Sequence, residues 1–160
     1  ILRIMKDSRL GTYGVIGILL ALLLKYNLLL SLPTHIVPLA LITAHAVSRL
    51  VPVFVIARLE YVRPDDDSKA RPVAYGIGPL QVIIAAIFGL LPLLLLDPVL
   101  WGALLAVGLI GIWFTRLCHR RLGGYTGDTL GALQQLCELA FYLGVLVLWR
   151  FISSATLAST

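Results

Sequence analysis

The sequence contains apolar windows that are long enough to cross a lipid bilayer. Residues 26–48 and 72–96 contain no Asp, Glu, Lys or Arg, and residues 98–115 continue the same pattern. A helix of about 20 residues spans a hydrocarbon core roughly 30 Å thick. Only 13% of the residues are charged and 59% are apolar, whereas soluble globular domains carry about 25% charged residues. The sequence therefore predicts an all-α, polytopic integral membrane helical bundle.

Five transmembrane helices are predicted from these windows and from the segments that interrupt them. Polar connections at 61–72 and 118–129 separate two pairs of apolar runs, and prolines mark the shorter breaks. We expect residues 1–160 to form a single membrane domain. Because the chain opens on Ile1 rather than Met, we also expect it to lack an N-terminal segment of the full protein. The predicted spans are 14–32, 36–58, 77–96, 98–116 and 133–152.

The positive charges are concentrated in a few connections. Ten of the 13 Lys and Arg residues lie in residues 3–9, 58–71 and 116–121, which five spans would bring to one face. The positive-inside rule makes this face cytoplasmic, with the protein in the cell inner membrane. In a membrane chain, a net charge of +5 records orientation, so we expect the lipid bilayer and no nucleic acid as a partner.

Three charged residues lie away from the ends of the predicted spans and do not fit a lipid-facing position: Lys25, Arg49 and Glu138. An ionisable side chain there costs about 2.5–3.5 kcal/mol on insertion scales, so it usually faces the bundle or a wet cavity. Lys25 can also extend its ammonium group towards the membrane surface. For Arg49, which shares a helix face with His45, two interpretations remain open. It forms a structural pair with Glu138, or it lines a functional cavity together with Ser48.

Two glycine-rich polar segments on the same predicted face are the candidate catalytic elements. They are KDSRLGTYG, residues 6–14, and LGGYTGDTLGALQQLCEL, residues 122–139. Glycines allow a ligand to approach the backbone, a helix N-terminus presents N–H groups to anions, and a carboxylate can hold a cation that bridges phosphate oxygens. Together they predict a phosphate and metal site. A capping turn with Asp128 or Thr129 as N-cap, with glycines for close helix packing, would also explain the second segment.

These segments, together with AVSR at 46–49, resemble the corresponding blocks of the cobalamin-5'-phosphate synthase family, also called adenosylcobinamide-GDP ribazoletransferases. The matching order runs from Ile4 to about Leu146. The resemblance implies an integral membrane enzyme of cobalamin biosynthesis. Such an enzyme joins adenosylcobinamide-GDP to α-ribazole or its 5'-phosphate, releases GMP and requires Mg²⁺. We also consider that the protein associates with further copies of itself as a homo-oligomer.

The resemblance implies a role for each matching residue. Asp7 and Asp128 are expected to hold the metal, and Arg9 and Arg49 to neutralise diphosphate charge, so these four are the predicted catalytic residues. Glu138 is expected to support them as an acid or as the partner of an arginine. The predicted substrate-binding residues are Ser8, Gly11, Ser48, Gly124, Thr126, Gly127, Thr129 and Glu138.

The resemblance is incomplete upstream of the first segment. Family members carry an aspartate-rich block of the form DGLADTxDG before the DSR element, and this sequence contains none. The three consecutive aspartates at 65–67 lie in a different place and context and do not replace it. If the full protein lacks the block, we expect no transferase activity. Two alternatives are a CDP-alcohol-type membrane phosphotransferase, whose D-G-x2-A-R spacing is missing, and a non-catalytic transport or structural subunit with an intramembrane relay of Arg49, His45 and Glu138.

Overall fold

The structure, a computed structural model, describes residues 11–62 and 77–158, with side chains up to Ser154. Within these ranges the protein is helical, and its one β-type pairing is an isolated bridge between Tyr61 and Tyr125. The helices are α1 (Thr12–Leu30), α2 (Val37–Ile56), α3 (Pro79–Leu90), α4 (Ala103–Leu122) and α5 (Gly127–Ala158), with 3-10 segments at Leu91–Leu95 and Pro98–Gly102.

Four of the described segments are long and apolar enough to cross a membrane. The remaining predicted span corresponds to a shorter apolar segment, Pro79–Leu95. Its α-helical part at 1.5 Å per residue and its 3-10 part at about 2 Å per residue give a length of about 28 Å, close to the hydrocarbon thickness. The prediction of an all-α polytopic membrane protein is confirmed. The four long segments are Thr12–Leu30, Val37–Ile56, Pro98–Leu122 and Gly127–Ser154.

The connection between the last two helices is shorter than predicted. The fourth span was expected to end at residue 116, but α4 continues to Leu122, and α5 begins at Gly127 rather than near 133. The hydropathy falls at Arg116, yet basic side chains in the last turn of α4 interact favourably with the negative end of the helix dipole. α4 ends where Gly123 adopts a left-handed conformation with φ of 81°, as is common at helix C-termini.

Helix α5 is the centre of the bundle and packs against α1, α2 and α4. Phe141, Tyr142 and Val145 in its middle are fully buried. At Gly144 the backbone of α5 approaches α4 closely: a Cβ atom there would lie 2.8 Å from the Cα of Ala103. The contact between α5 and α4 therefore depends on a missing side chain, which is typical of helix pairs in membranes.

Two contacts show that α1 runs parallel to α5. Lys25 contacts Glu138, and in the connection that follows α1 the ring of His35 lies 5.8 Å from that of Trp149, further along α5, centroid to centroid. Helices α1 and α5 therefore begin at the same end of the bundle, where α4 ends. We call this the basic end, because the arginines after α2 and in the last turns of α4 lie there: Arg58, Arg116, Arg120 and Arg121.

The sides of the bundle expose large apolar side chains. Only 6% of the residues of α1 are buried, and Leu20, Leu105 and Leu109 are among the exposed leucines. Apolar surface of this extent is unfavourable in water. It indicates that lipid covers these faces, as the apolar helices predict.

A candidate active site at the basic end

Two connections at the basic end are joined by backbone hydrogen bonds. The Tyr125 N–H donates to the carbonyl of Glu60 at 3.0 Å, and the Val62 N–H donates to the carbonyl of Tyr125 at 3.1 Å. These bonds form a parallel bridge between Tyr61 and Tyr125. We call the paired segments, residues 60–62 and 123–126, the backbone clip. The clip fixes the position of the start of α5 relative to the end of α2.

Gly124 is required by the clip itself. It is buried, and a Cβ atom there would overlap the carbonyl oxygen of Glu60 and lie 2.8 Å from Cγ1 of Val62. The two backbones can approach this closely only because no side chain separates them. Gly124 was predicted to bind substrate; its structural role is sufficient to explain the glycine, and binding stays a prediction.

The aromatic rings of the clip pack against each other. Tyr61 and Tyr125 meet edge to face with ring centroids 5.6 Å apart, and only 2% of Tyr125 is exposed. Burial, followed by the charge of Tyr61, raises the pKa of Tyr125 above its ordinary value. Its phenol therefore remains protonated at neutral pH. Tyr125 thus contributes a buried, neutral aromatic side chain to the clip.

The capping turn that was considered as an alternative is present at the start of α5, with Thr126 rather than Asp128 or Thr129 as its N-cap. The Thr126 hydroxyl accepts a hydrogen bond from the Thr129 N–H at 3.3 Å, and the Thr129 hydroxyl accepts one from the Thr126 N–H at 2.9 Å. This reciprocal arrangement resembles a capping box with Thr129 at its third helical position. Both side chains are buried. Their hydroxyl groups stabilise the helix start, and their predicted contact with substrate stays untested.

The carboxylate of Asp128 is exposed in the first turn of α5, beside the exposed Gly127. The positive end of the helix dipole stabilises a carboxylate or a bound anion at this place. Within residues 11–62 and 77–158, no group of three or more His, Cys, Asp and Glu residues is arranged to hold a metal ion. Mg²⁺, however, is usually held by one or two carboxylates together with substrate phosphates. Asp128 therefore fits as one such ligand.

A polar stripe runs along α5 from its first turn into the bundle. Asp128, Gln135, Glu138 and Tyr142 lie on one face of the helix at the helical period. The first two are exposed and the last two are buried. Glu138 lies 11 residues after Gly127, which places it roughly 16 Å along the helix axis from the start of α5. The stripe thus connects the exposed helix start with a buried carboxylate.

Lys25 is the partner of the buried Glu138. Its Nζ lies 2.6 Å from Oε1 of Glu138, the Tyr142 hydroxyl donates to the same oxygen at 2.8 Å, and the ammonium lies 5.7 Å from the centre of the Tyr142 ring. The proposed pairing of Glu138 with Arg49 is therefore wrong. Sequence reasoning missed the Lys25 pairing because apolar patterning does not determine which faces of α1 and α5 meet.

Arg49 and His45 are exposed on α2, whereas Ser48 between them is buried. The Ser48 hydroxyl donates to the carbonyl of His45 at 3.3 Å, within its own helix. Arg49 lies seven residues before Ile56, the last residue of α2, and so about 10 Å from its end. The guanidinium of Arg49 is thus accessible, and the hydroxyl of Ser48 is used internally.

The other predicted site residues lie at the start of the chain. Asp7, Ser8 and Arg9 are outside the residues that the structure describes. Gly11 is exposed and directly precedes α1. Because α1 runs parallel to α5, α1 begins at the basic end, as Gly127 does. This is the arrangement that a site shared by the two segments requires; the site itself stays a prediction.

Fold and polar residues together define a class: a multi-pass helical membrane protein with a polar, arginine-rich end built around the start of its central helix. The family model of cobalamin-5-phosphate synthase matches residues 1–146. The chain therefore belongs to the cobalamin-5-phosphate synthase family, and the resemblance seen in the sequence is confirmed.

Several curated proteins named adenosylcobinamide-GDP ribazoletransferase are similar to the chain. That of Shewanella sp. strain W3-18-1 is 46% identical over an alignment of 155 residues, and the match covers 91% of this chain and 57% of that protein. That of Shewanella oneidensis is 45% identical with the same coverage. The chain thus spans 57% of the length of these relatives. No solved structure matches the chain.

Proposed function

We propose that the protein to which this chain belongs is a membrane transferase that joins adenosylcobinamide-GDP to α-ribazole, or to α-ribazole 5'-phosphate, and releases GMP. The observation that carries the proposal is the helix start at Gly127–Asp128, held by the backbone clip within the segment that the family model matches. Family membership favours this reaction over a lipid-acting phosphotransferase or a transport subunit.

The reaction is a phosphoryl transfer. A ribose hydroxyl of the ribazole attacks the phosphorus next to the cobinamide, the bond from that phosphorus to the oxygen of GMP breaks, and the hydroxyl proton is lost. Such transfers depend mainly on positioning and on neutralising the charge of the phosphate oxygens. An exposed carboxylate at the helix start and exposed arginines are suited to both tasks.

Each described residue of the site has a proposed part. The first turn of α5 orients a phosphate group with its N–H groups, and Asp128 is one carboxylate that holds Mg²⁺. When bound, Mg²⁺ supplies charge neutralisation at the diphosphate. The accessible Arg49 contributes a second positive charge from α2. Asp7 and Arg9 are proposed to complete the site from the segment before α1.

The proposed orientation places the basic end in the cytoplasm and the protein in the inner membrane. The basic end carries four arginines: Arg58, Arg116, Arg120 and Arg121. The connection between α3 and α4, at the opposite end, contains one charged residue, Asp97. This asymmetry agrees with the positive-inside rule. In this orientation the site is accessible to soluble, phosphate-bearing substrates.

The test is a transferase assay on the full-length protein in lipid vesicles. We expect GMP release that requires adenosylcobinamide-GDP, ribazole and Mg²⁺ together. Parallel reactions with α-ribazole and with its 5'-phosphate identify the preferred acceptor. No GMP above the level without acceptor, in a preparation that unfolds cooperatively, would refute the proposal.

A further inference from the structure

Helices α3 and α4 both contact α2 and leave a cleft between them. The cleft has a volume of about 600 Å³. The residues that line it come from three helices and include Leu50 and Phe54 of α2, Leu90 of α3, and Leu104 and Gly108 of α4. We call this the α3–α4 cleft. It is separate from the start of α5 and from the polar stripe.

The α3–α4 cleft opens to the side of the bundle. Phe54, Leu90 and Ile112 line it and are 39%, 40% and 52% exposed. These residues belong to apolar membrane-crossing segments, so the opening faces the bilayer. An apolar cleft does not retain water, and an empty one loses dispersion contacts. A flexible hydrocarbon chain would restore those contacts.

Two arginines line the same cleft at the basic end of the bundle. Arg58 follows the end of α2, and Arg116 lies six residues before the end of α4, about 9 Å inside the helix. Both are exposed. In residues 11–62 and 77–158 the one ion pair joins Lys25 to Glu138. Neither arginine is therefore neutralised by a described carboxylate.

On the adjacent face of α4, a surface hollow of about 510 Å³ is lined by described residues of α4 alone, among them Trp113, Arg116 and Arg120. Arg116 borders both this hollow and the α3–α4 cleft. The α3–α4 cleft thus combines an apolar lining that faces the bilayer with arginines at the basic end. A molecule with a hydrocarbon chain and an anionic headgroup is complementary to this arrangement.

We infer that an anionic glycerophospholipid binds here, with an acyl chain in the α3–α4 cleft and its phosphate at Arg58 and Arg116. The stretch of α4 from Leu104 to Arg116 is about 18 Å long, compared with about 15 Å for the hydrocarbon depth of one leaflet. Basic residues at this depth attract anionic lipid headgroups. The lipid would also hold α3 against α4. This inference does not depend on the proposed reaction.

The test is native mass spectrometry of the full-length protein in detergent, titrated with equal amounts of phosphatidylglycerol and phosphatidylcholine. We expect wild-type protein to retain phosphatidylglycerol selectively. The double variant Arg58→Gln/Arg116→Gln should lose about 30-fold in phosphatidylglycerol affinity, since each arginine near the headgroup contributes about fivefold. Arg121→Gln, which removes a charge at the same end but outside the α3–α4 cleft, should retain the wild-type affinity.

A second variant tests the cleft without changing charge. A Cβ atom at Gly108 meets nothing within 4 Å, so Gly108→Leu would place its side chain in the α3–α4 cleft and displace an acyl chain. Gly17→Leu, at an equally open glycine of α1, is the matched control. We expect only the first to lose phosphatidylglycerol.

Four results would overturn the inference. They are equal retention of the two lipids by wild type, unchanged affinity in the double variant or in Gly108→Leu, an equal loss in Arg121→Gln, and displacement of phosphatidylglycerol by α-ribazole 5'-phosphate. The third would indicate a diffuse charge effect, and the last would identify the cleft as a substrate site. Each variant should be checked for wild-type thermal unfolding before its lipid affinity is compared.

Discussion

Lys25 and Glu138 are separated by 112 intervening residues, and their side chains form an ion pair of 2.6 Å between α1 and α5. Tyr142 donates a hydrogen bond to the same carboxylate oxygen. Glu138 is buried at 2% exposure, and few residues of α1 are buried at all. The ion pair is therefore the main polar contact that fixes α1 on the central helix.

Replacing Lys25 with Met should destabilise the protein, because it leaves a buried carboxylate without its cation. Breaking a fully buried pair costs about 3–5 kcal/mol; we expect about 2 kcal/mol here, since the side chain of Lys25 is 30% exposed. The double variant Lys25→Met/Glu138→Gln should recover most of the loss. The measurement is the free energy of unfolding in detergent.

Comparing the unfolding free energies of the single and double variants isolates the interaction energy between Lys25 and Glu138. Asn27→Ala is a suitable control in the same helix, because, among the described residues, the Asn27 side chain bonds to the Leu23 carbonyl of its own helix. If Lys25→Met unfolded like wild type, the ion pair would have no role in holding α1.

Gly124→Ala should disrupt the backbone clip. The added methyl group would overlap the Glu60 carbonyl, and overpacking of this kind costs about 1–3 kcal/mol. We expect the transferase rate to fall as well, because the clip holds the start of α5 in place. The unfolding midpoint and the rate of GMP release measure the two effects.

The matched control is Gly131→Ala. A Cβ atom there meets nothing within 4 Å, and alanine is favoured over glycine in a helix by about 1 kcal/mol. This variant should be at least as stable as wild type. Equal stability of Gly124→Ala and Gly131→Ala would show that the clip does not constrain the backbone.

Thr126→Ala should destabilise α5 by about 1 kcal/mol through loss of its N-cap. Thr126→Ser keeps a hydroxyl that can accept from the Thr129 N–H, so its unfolding free energy should be close to that of wild type. If both variants were as stable as wild type while the KM for adenosylcobinamide-GDP rose, Thr126 would bind substrate rather than cap the helix.

The helices and their membrane character could be predicted from the sequence, because charge-free windows of sufficient length have few other stable structures in a bilayer. The start of α5 could not be located, since Thr126, Asp128 and Thr129 are all good capping residues. Tertiary contact with Glu60 and Val62 determines which of them lies at the cap. The sequence does predict that the turn is special, through its closely spaced glycines.

For the charged residues within the spans, too, the sequence predicts one part of the structure and tertiary packing determines the rest. Their cost in lipid predicts that each needs a partner or an accessible cavity. Glu138 is paired with Lys25, whereas Arg49 is exposed on α2 and its cavity stays a prediction. The partner could not be identified from the sequence, because the rotation of each helix depends on packing against its neighbours. Contacts such as Gly144 against Ala103 determine that rotation.

The central claim is that the exposed carboxylate at the start of α5 takes part in phosphoryl transfer. The most direct measurement is Mg²⁺-dependent GMP release by full-length Asp128→Asn in lipid vesicles. A control is Asp97→Asn at the opposite end, where asparagine can still accept the hydrogen bond from the Val99 N–H. We predict a loss of about 100-fold for Asp128→Asn, because metal-assisted charge stabilisation contributes several kcal/mol and about 1.4 kcal/mol is tenfold. Asp97→Asn should keep the wild-type rate. A wild-type rate and Mg²⁺ requirement in Asp128→Asn would contradict the claim.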